Sequence, residues 1–192
     1  MEWLNFALIL QIFVLLNPLS SFPFLMNAYK KKLNVKKIAF SAVLTAFIIA
    51  VAIIFIGPYM FNLFGVTLNS FRIAGGIVLL LLGINTVRPK DNGIKEVGGV
   101  NSLISIIATP MLTGPATISF LTIQSYEFGH TALLLNTVIA FILVGVLFIT
   151  FSFLIPRVNV GLINISSRVL GLFLTAVAIE MIAKGASGFL AK

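Results

Sequence analysis

The sequence predicts an all-α membrane protein: six transmembrane helices in two inverted-topology three-helix repeats, with helices 1 and 4 broken near the membrane interior. Three observations lead there. Of 192 residues, 59% are hydrophobic and 9% charged, and the mean hydropathy is +1.14, whereas about a quarter of the residues in a soluble domain carry charge. The charges gather at the ends of apolar runs, each long enough for the roughly 20 apolar residues a crossing needs. The prolines recur at matching places in the two halves of the chain.

Residues 3–29 are uncharged and form the first span, closed by a basic hairpin of Lys30, Lys31, Lys32, Lys36 and Lys37. Residues 38–71 supply the second span and an outer loop at 65–69; residues 71–87 supply the third, with Arg72 near its start. The first repeat is thus 1–88, and the hydrophilic stretch 89–99 is the loop that joins it to the second repeat, 100–192, within a single transmembrane domain, 1–192. Residues 100–126 form the fourth span, with Glu127, Gly129 and His130 in a short turn. Residues 131–155 are the fifth span, 157–166 a connector rich in Asn and Gly, and 167–190 the sixth. The acidic start Met-Glu-Trp and the length of the first apolar run argue against a cleaved signal peptide, so the first helix is expected to be retained.

Lys and Arg set the orientation. All 13 except Arg72, Lys184 and Lys192 fall on the side of the Lys30 hairpin and the 89–99 loop, which is therefore cytoplasmic. Both termini are expected outside a cell membrane that the chain crosses several times. The net charge of +8 is dispersed among apolar spans, so it reads as topology rather than as a nucleic-acid footprint.

The composition also removes most enzyme chemistry. There is no Cys and only one His, His130, which leaves no thiolate nucleophile, no His-ligated metal cluster and little scope for a Ser-His pair. Of the acidic residues Glu2, Asp91, Glu96, Glu127 and Glu180, only Glu180 lies inside an apolar run. The expectation is no catalytic residue, no metal site and no cofactor.

Six prolines pair between the halves: Pro18 with Pro110, Pro23 with Pro115, and Pro58 with Pro156, Pro89 being the exception. Arg72 likewise pairs with Arg168, each preceded by Ser, which can cap a helix N-terminus. Each half holds an odd number of spans, so the two must insert in opposite directions, an arrangement common in secondary transporters. Two prolines within a short stretch remove backbone donors and unwind a turn, as at 17–23 and again at 109–115. Hydrocarbon does not tolerate free backbone groups, so the two breaks must be buried in protein or line a polar cavity, facing one another across the repeat axis. Asn17, Ser20, Ser21, Thr109, Thr113 and Thr117 add short uncharged hydrogen-bonding groups, and no Lys, Arg or Asp is expected near them. Exposed carbonyls at one half-helix end and amides at the other suit a small zwitterion better than an ion. The plainer reading is that Pro18 and Pro110 are packing kinks whose neighbouring hydroxyls bond back to their own helix.

At this point the sequence resembles the MarC/SnatA family of integral membrane proteins. The resemblance runs over essentially the whole chain: Asn17-Pro18-Leu19, Phe64-Gly65-Val66, Arg72-Ile73-Ala74-Gly75-Gly76, Pro110 with Gly114-Pro115, and Ser167-Arg168 with Gly171 and Gly185. It implies six spans and, for the SnatA branch, transport of small neutral amino acids such as glycine and alanine. The family's usual Gly-Pro-Gly reads Gly114-Pro115-Ala116 here, which removes backbone freedom at the second break, and Glu180 stands where relatives carry Gln.

The resulting expectation is a secondary transporter of glycine and alanine working by alternating access, driven by a proton or sodium gradient since no nucleotide-binding loop occurs. Its substrate site comprises Asn17, Pro18, Ser20, Ser21, Thr109, Pro110, Thr113, Gly114 and Thr117. Glu180 is a candidate for the coupling ion, although Lys184 four residues on favours a structural pair. Gly75, Gly76 and Gly171 are read as helix-packing positions, Arg72 and Arg168 as helix-start arginines that snorkel to headgroups or reach a neighbouring carbonyl end, and His130 as solvated. The bilayer is the expected partner, and a monomer is possible because an inverted repeat completes its own cavity. The alternatives are a channel or facilitator for a small polar solute, or a non-transporting membrane scaffold.

Overall fold

A computed structural model describes residues 4–88, 100–107, 112–155 and 160–190. The described residues are helical throughout and contain no strand. In chain order the helices are α1 (Phe6–Leu16), α2 (Phe22–Lys30) after a 3₁₀ turn at Pro18–Ser21, α3 (Val35–Phe64), α4 (Leu68–Val87), α5 (Val100–Ile106), α6 (Pro115–Phe128), α7 (His130–Leu154) and α8 (Val160–Leu190). Five segments are long and apolar enough to cross a membrane: Phe6–Lys30, Val35–Phe61, Leu68–Val87, His130–Leu154 and Gly161–Leu190. The stretch expected as the fourth span carries the two shorter helices α5 and α6, with residues 108–111 between them outside the described set.

Local chemistry sets where these helices begin and end. Asn5 caps α1 by accepting from Leu8 N at 3.1 Å, and Asn34 caps α3 by accepting from Lys37 N at 3.1 Å. α3 tolerates Pro58 near its end and stops at Gly65, which takes the left-handed conformation at φ 62°. α6 and α7 are joined by Gly129 alone, at φ 79° and ψ 156°. That geometry lies outside what a side chain tolerates, so the two helices can meet without a longer loop.

Several sequence expectations need correction here. The cap of α4 is Thr67, whose Oγ1 accepts from Ser70 N at 3.1 Å, rather than Ser70 itself. α8 starts at Val160, so most of the expected 157–166 connector is helix and Ser166 and Ser167 cap nothing. Residues 160–166 hold one glycine and no proline, and isolated Asn and Ser at exposed positions only weaken a helix. Arg168 therefore lies about two turns inside α8 rather than at its start.

The outer face is apolar as well as the core. Large apolar side chains such as Phe40, Ile48, Tyr59, Leu63, Phe153 and Leu172 face outward, while Asn17, Ser21, Thr113, Thr117, Ser125, Asn136 and Thr137 are buried. In a bilayer the outer face costs nothing, and an interior polar group can find a partner across helices, as Ser125 Oγ donates to the Ile54 carbonyl of α3 at 2.7 Å. α4 and α8 run antiparallel and touch along most of their length through small residues. Gly76 lies against Ala178 and Ile182, Gly83 against Gly171 and Thr175, and Gly185 against Asn69 and Ile73. A Cβ at Gly83 would stand 2.9 Å from Thr175 N, and one at Gly185 2.8 Å from Asn69 O. Close backbone approach is therefore the role of this glycine series. α3 packs on α7 and α6, and α7 on α1, with the Phe22 and Phe151 rings stacked at 3.8 Å.

Candidate functional site

The first apolar run changes course at Asn17. α1 ends at Leu16, Asn17 sits in the left-handed region at φ 43° and ψ 56°, and the chain then makes the 3₁₀ turn Pro18–Ser21 before α2. Proline disfavours a right-handed helical residue before it and lacks the donor needed to continue the ladder, while Asn is among the few side chains that accept a left-handed backbone. Pro18 and Pro23 each fall in the first two positions of the following helical segment, where a missing N–H costs least.

Asn17 is 2% exposed and donates from Nδ2 to Thr86 Oγ1 at 3.3 Å, tying the turn to the end of α4. Thr86 Oγ1 in turn donates to Leu82 O at 2.8 Å. Ser20 Oγ donates to the Asn17 carbonyl at 2.8 Å, and Ser21 is fully buried. Asn17 Oδ1 is buried and, among the described residues, has no hydrogen-bond partner. Buried polar groups in a membrane interior are nearly always satisfied, so this acceptor is a place for a donor from elsewhere.

In the second half, Gly114 is extended at φ −72° and ψ 177°, and Pro115 opens α6. Thr117 Oγ1 donates to Leu112 O at 3.1 Å across this entry, and Thr113 and Thr117 are both buried. Thr109 and Pro110 lie outside the described residues. α1 packs against α6 and α2 against α5, so the arms of the two segments cross.

Three features near these residues were not legible in the sequence. A cavity of about 70 Å³ beside the 3₁₀ turn is lined by Ser20, Pro23, Thr86, Arg88, Asn164 and Arg168. The expectation that no arginine approaches the first break is thus incorrect: Arg88 and Arg168 are brought there by the antiparallel α4 and α8, from positions remote in sequence. Arg72 does not snorkel; it pairs with Glu127 at the end of α6 and donates from Nη1 to Asn69 Oδ1 at 3.1 Å. His130, at the start of α7, is not simply solvated, because its Nδ1 lies 2.6 Å from Ser125 Oγ and 3.0 Å from the Ile54 carbonyl of α3. The candidate Glu180 pairs with Lys184 at 3.3 Å, with side chains 65% and 59% exposed.

Among the described residues no three His, Cys, Asp or Glu side chains gather as a metal site would require. Comparison with known proteins places the chain more firmly than any one contact. A model of the MarC family integral membrane proteins matches residues 4–190. The chain is 31% identical to the UPF0056 membrane protein MJ1677 of Methanocaldococcus jannaschii, over 93% of this chain and 94% of that protein. It is 27% identical to YhcE of Escherichia coli, over 95% and 92% of the two chains, and 27% identical to YvbG of Bacillus subtilis, over 95% and 96%. The names of these three relatives say that they are membrane proteins and state no activity. No solved structure matches. With a family match across nearly its whole length and five helical segments long and apolar enough to cross a membrane, the chain belongs to the MarC family of multi-pass integral membrane proteins.

Proposed function

We propose that this protein is a secondary transporter of small neutral amino acids, glycine and alanine, and not an enzyme. Its two halves, 1–88 and 100–192, are inverted three-helix repeats joined by a cytoplasmic loop at 89–99, and both termini lie outside the cell membrane. The substrate site lies at the two broken helices near the midplane, with Asn17, Pro18, Ser20 and Ser21 from one half and Thr109, Pro110, Thr113, Gly114 and Thr117 from the other. The single observation that carries this reading is Asn17: a left-handed residue between two helices of one apolar run, buried, with an acceptor oxygen that the described residues leave unpartnered. A substrate ammonium would donate to that oxygen, and backbone amides freed at the breaks would take the carboxylate. The antiparallel pairing of α4 and α8, the last helices of the two halves, supports the inverted arrangement.

The cavity of about 70 Å³ beside the turn is bordered by Ser20 of this site. Alternating access requires the helices around the two breaks to move. A proton or sodium gradient drives uphill movement, with no bound cofactor.

The test is uptake of labelled glycine and alanine into liposomes holding the purified protein, under imposed proton or sodium gradients. Concentrative uptake that Asn17→Ala abolishes is the expected result. Flux that only dissipates a gradient, without saturation, would make the protein a channel. Folded protein that moves neither amino acid under any gradient would make it a non-transporting membrane component. Glu180→Gln tests the remaining candidate for the coupling ion: if the pH dependence of uptake survives, coupling lies elsewhere.

A further inference from the structure

We infer that the Glu127 end of the bundle holds a second, separate binding site for a small zwitterion, in the cavity between α1, α4, α6 and α8. The cavity measures about 230 Å³, or about eight water volumes at roughly 30 Å³ each, and falls below the roughly 300–1,000 Å³ of pockets that take drug-sized ligands. A solute the size of glycine or alanine fits it. Gln11 enters from α1, Arg72 from α4, Gln124 and Glu127 from α6, and Glu180 and Lys184 from α8.

The charges on this wall are balanced and close. Arg72 is held by Glu127, and Lys184 stands 3.3 Å from Glu180, so the cavity presents cations and carboxylates in equal number. A ligand of one sign would meet as much repulsion as attraction there, whereas a ligand carrying both signs can face each with its opposite. Two polar atoms of residues around the cavity are buried, with no open surface and no hydrogen-bond partner among the described residues: the Nε donor of Arg72 and the Oε1 acceptor of Gln124. Buried donors and acceptors left unmade are unfavourable, and this pair is complementary to a zwitterion. With those two side chains turned toward the cavity, a carboxylate accepts from Arg72 Nε–H, and an ammonium donates to Gln124 Oε1 and to the accessible carboxylate of Glu180.

Position ties the cavity to the helix interruption. Gln11 precedes Asn17 on α1 by six residues, about 9 Å of helix, and Phe120 on the cavity wall follows Thr117 by less than one turn of α6. A solute held here waits above the proposed midplane site on the side from which Glu127 is reached. That the solute is a neutral amino acid rests on the transport reading above.

Equilibrium binding of labelled glycine to the full chain in lipid nanodiscs separates the two ideas. The wild type should show two classes of site, and Asn17→Ala should keep the weaker one. Gln124→Met should weaken that remaining class by about tenfold or more with an unchanged thermal midpoint, and Glu180→Gln should weaken it in the same direction. Acetate and methylamine, each carrying half of the zwitterion's charge, should not compete for it. A single class of site that vanishes with Asn17→Ala overturns the second site and leaves the transport reading standing. Displacement by acetate alone makes the cavity an anion site and also overturns it. A wild type that binds no glycine at all overturns both.

Discussion

Asn17 carries two separable demands, one on the backbone and one on the side chain. Its left-handed conformation costs an ordinary residue about 1–2 kcal/mol, and its amide holds Thr86. Asn17→Gly keeps the backbone conformation and removes the side chain, so it should unfold within about 1 kcal/mol of the wild type while losing amino acid uptake. Asn17→Ala should lose uptake and also about 1–3 kcal/mol of stability, read by thermal unfolding in detergent beside the transport assay. Glu180→Gln belongs at the other extreme. An exposed pair between residues four apart contributes about 0.2–0.5 kcal/mol, so the variant's thermal midpoint should hardly move. The residues themselves were all visible in the sequence, but their partners were not. Thr86, Arg88 and Arg168 reach the turn at Asn17 only because α4 and α8 pass it, and Glu127 reads as a loop residue until α6 is seen to carry it to Arg72.

At the scale of elements, the α4–α8 contact sets a narrow tolerance. Gly83 and Gly185 face backbone atoms of the opposing helix, which cannot step aside as a side chain can. Gly83→Ala should therefore destabilise by about 1–3 kcal/mol, the cost typical of overpacking, and the same holds for Gly185→Ala. Gly65 offers the contrast. Nothing lies within 4 Å of where its Cβ would stand, but its φ of 62° strains any L side chain, so Gly65→Ala should cost about 1–2 kcal/mol without any clash. Both comparisons are read as shifts in thermal unfolding midpoint. Small residues at helical spacing marked Gly75, Gly76 and Gly171 as packing positions, and contacts within 4 Å surround each. The start of α8 was not legible: Asn and Gly look like a connector when read singly, but helical hydrogen bonding and contact with α4 outweigh weak local preferences.

At the scale of the whole molecule, the proposed orientation has a direct test, because the chain contains no Cys and any introduced one is the sole thiol. Lys31→Cys in the basic hairpin should resist a membrane-impermeant maleimide on intact cells and react after the membrane is opened. Ser187→Cys, at the end of α8, should react on intact cells. The reverse pattern would invert the topology and, with it, the side on which the Arg72–Glu127 cavity opens.

What the sequence by itself determined was the solvent. A chain with 9% charge and apolar runs bounded by Lys and Arg must cross a bilayer as helices, since no other local structure satisfies its backbone there. It also determined, through proline chemistry, where an apolar run has difficulty continuing as one helix. Only the tertiary structure decided which groups meet. Charge pairs such as Arg72 with Glu127, the His130–Ser125–Ile54 contact and the arginines beside Ser20 depend on how helices from distant parts of the chain lie side by side. Side-chain hydrogen bonds and ion pairs act over a few ångströms of space, and sequence separation carries almost no information about that distance once the chain has turned back on itself.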